Sequence, residues 1–141
     1  MKRVTLENYR EDPYYPKIVE AVASILRLKN HVTPIEVFQS LGLLTNADVD
    51  NWRNGRVPYL EKVIKCNLSK ASRVVRILRF HAHDLNLRPS LTVYKRKTRG
   101  GKIPLRFSKS GENALEQAYS RHFVAVGKGR ANNSQLPSVS G

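Results

Sequence analysis

The spacing of apolar residues predicts a mainly helical chain. In several segments apolar side chains recur every three or four positions, which places them on one face of a helix. Capping boxes mark two helix starts, because Thr33 is followed three positions later by Glu36, and Thr45 is followed in the same way by Asp48. The predicted helices cover residues 16–30, 34–41, 46–53, 58–67, 69–87 and 112–123.

The strongest pattern lies between Ser69 and Leu87. One side of this predicted helix is apolar, and the opposite side is basic, with Arg73, Arg76, Arg79 and His83. Phe80 lies among these cations, and the pattern leaves open whether it is exposed or covered by a neighbouring element. The segment is therefore predicted to be an amphipathic helix with a cationic face.

The apolar period changes after Pro89. Residues 91–94 have the composition of a strand, Gly100 and Gly101 supply a turn, and residues 103–107 return as a second strand. Pro104 cannot donate to a strand ladder, so its strand is expected at an edge. The predicted fold class is mainly α with one β-hairpin (α+β), arranged as a compact helical bundle.

The length and composition favour one folded domain. The chain has 141 residues, of which 40% are hydrophobic, and a core of this size is more stable than two smaller ones. We expect a single domain over residues 15–126 and an N-terminal arm over residues 1–14 that can dock on it. Residues 127–141 are expected to be a disordered tail, because Gly, Asn, Ser and Pro dominate there.

Positive charge is concentrated in one part of the chain. The net charge is +14. Residues 1–60 contain eight Lys/Arg and seven Asp/Glu, whereas residues 70–109 contain twelve Lys/Arg and a single acid, Asp84. A basic surface favours phosphate because binding releases counterions. We therefore expect a polyanion as partner, with nucleic acid first.

The sequence offers little for other classes of function. No apolar run has the roughly 18 residues needed to cross a bilayer, and the start lacks the apolar stretch of a secretory signal, so we expect a cytoplasmic protein without a membrane partner. Cys66 is the single cysteine, so it cannot form an internal disulfide. On a helix His81 and His83 diverge by about 200°, which argues against a shared metal ion. No catalytic residue, metal or cofactor is predicted.

One stretch resembles a known family. Thr33, Glu36-Val37 and Leu41-Gly42, followed by Val49, Trp52-Arg53-Asn54-Gly55 and Pro58, are similar in order to the helix-turn-helix of Cro/CI repressor-like domains. The similarity covers about residues 33–65 and implies a helix-turn-helix or winged-helix-like fold that binds DNA. It also implies that Asn46, Asn51 and Arg53 contact bases, although Asp48 and Asp50 on the same helix would repel phosphate. An alternative is a helical core that merely presents the basic helix. Over its whole length the chain is also similar to small bacterial proteins.

The basic helix and the hairpin together form the predicted nucleic-acid-binding site. Its candidate residues are Arg73, Arg76, Arg79, His83, Lys95, Arg96, Lys97, Arg99, Lys102 and Arg106, with Arg53 and Arg56 from the helix-turn-helix-like segment.

The leading hypothesis is a small DNA-binding regulator, and a two-fold operator would suit a homodimer. RNA is the first alternative, because Tyr94 and Phe80, if exposed, can stack on unpaired bases. Docking on an acidic protein surface is the second alternative. A small nuclease using His81, His83 and His122 is the least favoured.

Overall fold

The computed structural model describes residues 3–126 and shows a mixed α+β fold. Its helices are α1 (Tyr15–Leu28), α2 (Pro34–Ser40), α3 (Asn46–Arg53), α4 (Leu68–Asp84) and α5 (Asn113–Ser120). Its strands are β1 (His31–Val32), β2 (Arg88–Leu91), β3 (Lys95–Thr98), β4 (Gly101–Pro104) and β5 (Arg121–Val124). Short 3-10 turns lie at Tyr9–Glu11 and Leu60–Lys62.

The capping boxes place α2 and α3 where the sequence predicts them. The Thr33 hydroxyl accepts a hydrogen bond from the Glu36 amide at 3.2 Å, and the Glu36 carboxylate accepts one from the Thr33 amide at 3.1 Å. Thr45 and Asp48 repeat this exchange at the start of α3. Both boxes satisfy amide groups that have no partner within their own helix. The predicted helix starts at these two positions are confirmed.

The basic segment also folds as predicted, as α4. The side chain of Asn67 accepts a hydrogen bond from the Lys70 amide and caps its first turn. Val74, Ile77 and Leu78 on its apolar face are buried in the core. Phe80 is buried as well, at 8% exposure, because Tyr9 of the N-terminal segment packs against its ring.

One predicted α-helix is absent, and another is shorter than predicted. Residues 58–67 form no helix beyond the turn at Leu60–Lys62, because the Leu60 and Glu61 amides donate to the carbonyls of Arg106 and Phe107 across the molecule. The helix predicted over residues 112–123 ends at Ser120, and the chain continues as strand β5. In both places a long-range partner replaces the local helical hydrogen bonds.

The structure contains a three-stranded antiparallel sheet that the prediction of one hairpin omitted. Its order is β1-β5-β2, and Phe123 of β5 lies opposite Val32 on one side and Pro89 on the other. Each strand is two to four residues long and pairs with a segment distant in the chain, so no turn motif in the sequence indicates this sheet.

The hairpin predicted over residues 91–107 is shorter than expected. It consists of β3 and β4, with Thr98 opposite Gly101 and the turn at Arg99-Gly100. Pro104 lies at the end of a two-stranded ladder, which tolerates its missing donor.

One core joins helices, sheet and N-terminal segment. Its fully buried side chains include Ile18, Phe38, Trp52, Ile77 and Tyr119. Residues 3–14 of the predicted arm pack on this core through Val4 and Tyr9, which are 4% and 2% exposed. The tail predicted over residues 127–141 lies outside the described residues. Among residues 3–126, no helix is long and apolar enough to span a membrane.

Candidate functional site

The hairpin formed by β3 and β4 packs against the C-terminal end of α3. Gly55, in the turn after α3, has a φ of +77° and lies directly under the Arg96 side chain. A Cβ atom at Gly55 would lie 2.6 Å from Arg96 Nε, closer than real Cβ contacts come. Glycine therefore leaves room for the Arg96 side chain at the end of α3, and a Cβ atom there would force this flexible side chain to shift.

Aromatic side chains hold the base of the hairpin. The Trp52 indole N–H donates to the carbonyl oxygen of Arg106 at 2.7 Å. The Trp52 ring packs on Tyr94 and Phe107, with ring centroids 5.6 and 5.0 Å apart. Tyr94 precedes β3 and Phe107 follows β4, so a residue of α3 anchors both ends of the hairpin segment.

Tyr94 packs against other groups of the protein. Its hydroxyl lies 2.8 Å from His122 Nε2, and the other ring nitrogen of His122 lies 3.3 Å from the Thr92 hydroxyl. Burial raises the pKa of Tyr94, and burial followed by the charge of His31 lowers the pKa of His122. Tyr94 therefore serves packing.

A set of cations surrounds this junction, and we name it the hairpin–α3 surface. The Arg53 guanidinium lies 5.3 Å from the centroid of the Tyr94 ring, and Arg56 donates to the Asn51 side chain at 3.2 Å. Among the described residues, no member of the set forms an ion pair with a carboxylate. The hairpin–α3 surface consists of Arg53, Arg56, Lys95, Arg96, Lys97, Arg99 and Lys102.

The hairpin places two lysines directly opposite each other. Lys97 of β3 and Lys102 of β4 are cross-strand partners, and both are exposed. Residues opposite each other in an antiparallel pair point to the same face, so their ammonium groups repel. Lys95 alternates onto the same face as Lys97. This face of the hairpin is therefore uniformly positive.

The two acids of α3 differ in their surroundings. Asp48 caps its own helix and forms an ion pair with Lys65 at 3.4 Å. The hydrogen bond with Thr45, followed by the charge of Lys65, lowers the pKa of Asp48. Asp50 is exposed and has no cationic partner within the described residues. Only Asp50 therefore presents an uncompensated negative charge on α3.

The base-contact candidates on α3 are engaged within the protein. The side-chain oxygen of Asn46 accepts a hydrogen bond from Gln39 at 2.8 Å. That of Asn51 accepts the hydrogen bond from Arg56. Each side chain keeps its amide N–H groups as donors.

The basic face of α4 contacts the N-terminal segment and α5. Arg73 donates two hydrogen bonds of 3.0 Å to the Asp12 carboxylate, and its guanidinium lies 5.7 Å from the Tyr14 ring. Burial tends to raise the pKa of Asp12, but hydrogen bonds from Arg73 and the Tyr14 amide outweigh it and lower that pKa. Arg73 is therefore held in an ion pair with the N-terminal segment, and its contact with phosphate stays a prediction.

The remaining cations of α4 are crowded together. Arg76 is partly buried, and burial followed by the charges of Arg3 and Arg79 lowers its pKa. Arg79 and His83 are exposed. Arg79 also lines a groove with Arg121 of β5. Sequence reasoning missed Arg3 and Arg121, because one lies in the predicted arm and the other in a segment predicted to be helical.

Arg106 has a structural role as well. Its guanidinium donates to the carbonyl oxygens of Ser108 and Lys109 and lies over the Tyr59 ring. These contacts hold the loop that follows β4. Although Arg106 is exposed, two of its N–H donors are directed to these backbone oxygens.

The histidines do not gather into a metal site. His81 is buried with its ring edge-on to Tyr15, whereas His83 points to solvent and His122 stacks on His31. Within residues 3–126, no group of three His, Cys, Asp or Glu side chains is placed to hold a metal ion.

Comparison with protein-family models, with curated proteins and with solved structures finds no match for this chain.

Proposed function

We propose that the protein binds nucleic acid through the hairpin–α3 surface, as a small DNA-binding regulator. The observation that carries the proposal is the absence of any carboxylate partner for these seven cations among the described residues, although four acids elsewhere are already paired with basic residues. Cations that stay unpaired beside one another gain most from a ligand of repeating negative charge.

The opposed lysines of the hairpin support the same ligand. Lys97 and Lys102 repel each other in the free protein, and a phosphate between or above them turns that repulsion into two attractions. The opposed lysines slightly destabilise the free hairpin and so favour a role in binding an anion. Its geometry suits a wing that follows a phosphate backbone.

Duplex DNA is favoured over RNA or single strands in this proposal. Single-stranded nucleic acid is commonly held by aromatic side chains that stack on unpaired bases. Tyr94 bonds to His122, and the Phe80 ring, which packs against Tyr9, is only 8% exposed, too little for a base to stack on its face. Contacts between cations and backbone phosphate remain, and they suit a duplex.

The helix pair α2–α3 with the hairpin beside it is proposed to act as a helix-turn-helix with a wing. Residues 41–45 separate the two helices, and Gly42 in this turn has a φ of +76°. Arg53 and Arg56 flank Gly55 in the chain, and the Arg96 side chain lies against Gly55. Asp50 disfavours deep entry of the helix into a groove lined by phosphates. We therefore propose that phosphate contacts supply most of the affinity.

The test compares two double variants that remove the same charge. Lys97→Gln with Lys102→Gln removes two cations of the hairpin–α3 surface, and Lys17→Gln with Arg27→Gln removes two from α1. Binding to a random 25-base-pair duplex, to single-stranded DNA and to RNA is measured by fluorescence anisotropy from 0.05 to 0.3 M salt.

We expect the hairpin variant to bind the duplex about 30-fold more weakly at 0.15 M salt, with a salt slope lower by about two. The α1 variant should change affinity by less than about threefold. Equal effects of the two variants, or no measurable duplex binding by the wild-type protein, would refute the proposal.

A second candidate is docking on an acidic protein surface, which the same unpaired cations favour. The two candidates separate in the same experiment. If the folded wild-type protein binds none of the nucleic acids at 0.05 M salt, the acidic partner becomes the better explanation of the hairpin–α3 surface.

A further inference from the structure

A second basic region encloses an apolar groove on another part of the molecule. The groove has a volume of about 320 Å³ and lies between the N-terminal segment, α4 and the sheet strands β2 and β5. Its apolar walls are Leu6, Phe80, Leu87, Pro89 and Phe123. Arg79, His83 and Arg121 complete the lining, which contains no acid.

The two arginines of the groove lack an acidic partner. Among residues 3–126, neither Arg79 nor Arg121 forms an ion pair. Asp84 is the nearest acid along α4, but its carboxylate already accepts hydrogen bonds from Tyr9 and Arg10. The groove therefore has an excess of positive charge that the surrounding protein does not neutralise.

Cations beside the groove add to this excess, and Arg79 of the groove also lines a neighbouring pocket with Arg76. Arg3 and Arg79 lie near enough to Arg76 for their charges to lower its pKa, after burial. Bringing cations together without a counter-charge costs free energy that a bound anion recovers. Apolar walls next to unpaired arginines thus recognise a ligand with two different parts.

We propose that this groove binds a small organic anion with an apolar body, such as a medium-chain carboxylate. The carboxylate pairs with Arg79 and Arg121, because a planar guanidinium matches a carboxylate with two parallel hydrogen bonds. The apolar body lies against Phe80, Leu87 and Phe123. This site is separate from the hairpin–α3 surface and does not depend on nucleic-acid binding.

The size of the groove limits the ligand. Small-molecule sites usually measure about 300–1,000 Å³, so this groove takes a ligand from the small end of that range. A polyanion such as nucleic acid suits it poorly, since a charged backbone would leave the apolar walls unfilled. Each methylene buried there contributes about 0.8 kcal/mol.

Three probes test the carboxylate and the apolar chain of the ligand separately. Octanoate carries both the carboxylate and the apolar chain, acetate carries only the head group, and 1-octanol carries the chain without the charge. Each is titrated into the full-length protein while amide resonances are followed by NMR. We expect octanoate to bind at least about tenfold more tightly than either partial probe. The largest shifts should fall at Phe80, Leu87 and Phe123.

Variants test the role of the arginines. Arg79→Gln and Arg121→Gln should each weaken octanoate binding by about fivefold or more and leave 1-octanol binding unchanged. Arg27→Gln, which removes the same charge from the exposed face of α1, is the matched control and should have no effect.

Three results would overturn the proposal. The first is octanoate binding no better than acetate, which would leave the apolar walls without a role. The second is equal weakening of octanoate binding by Arg121→Gln and Arg27→Gln. The third is a set of shifts spread over the whole basic surface and not confined to the groove.

Discussion

Replacing Gly55 by alanine tests whether the approach of Arg96 to the end of α3 positions the hairpin. Gly55 and Gly42 form a matched pair, because their φ angles are +77° and +76°. A Cβ atom at Gly42 meets nothing within 4 Å, whereas one at Gly55 would lie 2.6 to 2.9 Å from three atoms of Arg96. The two substitutions therefore share the backbone strain and differ in the displacement of Arg96.

The shared part of the effect is the left-handed conformation of a residue with a Cβ atom. It lowers the free energy of unfolding by about 1–2 kcal/mol in both variants. In Gly55→Ala the Arg96 side chain must also swing away. Because it is long and exposed at its end, this adds at most about 1 kcal/mol. Urea denaturation measures both values.

The distinguishing effect is on the hairpin–α3 surface. Loss of one phosphate contact should weaken duplex binding about fivefold at 0.15 M salt and lower the salt slope by about one. The Arg96 Nε–H resonance, followed by NMR in the free protein, should shift in Gly55→Ala and stay in place in Gly42→Ala. If this resonance is the same in both variants, the inferred contact is wrong. If it shifts while both variants bind duplex equally, Arg96 does not contact the nucleic acid.

Three further substitutions test buried interactions. Tyr119→Phe removes the 2.7 Å hydrogen bond to the Glu61 carboxylate and should lower the free energy of unfolding by about 1.5–3 kcal/mol, measured in urea. Asp12→Asn should destabilise the protein at pH 7. Because the folded pKa of Asp12 is lowered, the wild-type advantage should vanish as pH falls through that pKa, below about 3.9. Burial lowers the folded pKa of His122, so the wild-type protein should lose stability as pH falls below about 6.5, and His122→Gln should lose less between pH 7 and 5 in thermal unfolding.

Local signals in the sequence predicted α2, α3 and α4, although they failed at residues 58–67. The caps at Thr33 and Thr45 depend on side chains three residues apart, so they can be recognised without knowledge of the fold. The basic face of α4 follows from helical periodicity alone. These elements form because neighbouring residues favour them.

The parts that the sequence did not predict depend on distant partners. Strand β5 forms because Phe123 pairs with both Val32 and Pro89, and a helical pattern at residues 112–123 hides this preference. Arg73 pairs with Asp12, 61 residues away, and the sequence of α4 alone could not predict this ion pair. The composition predicted the basic segment, but it could not predict that the cations of this segment lie on two separate surfaces.

The anchoring of the hairpin also gives the protein an intrinsic optical reporter. Trp52 is the single tryptophan of the chain, is fully buried, and bonds through its indole to the backbone just after β4. Tyr94 and Phe107, at the two ends of the hairpin segment, pack on its ring. Any detachment of the hairpin from α3 would bring water to the indole, so the emission maximum of the unlabelled protein should shift to the red. Stopped-flow fluorescence can therefore time hairpin movement without a dye.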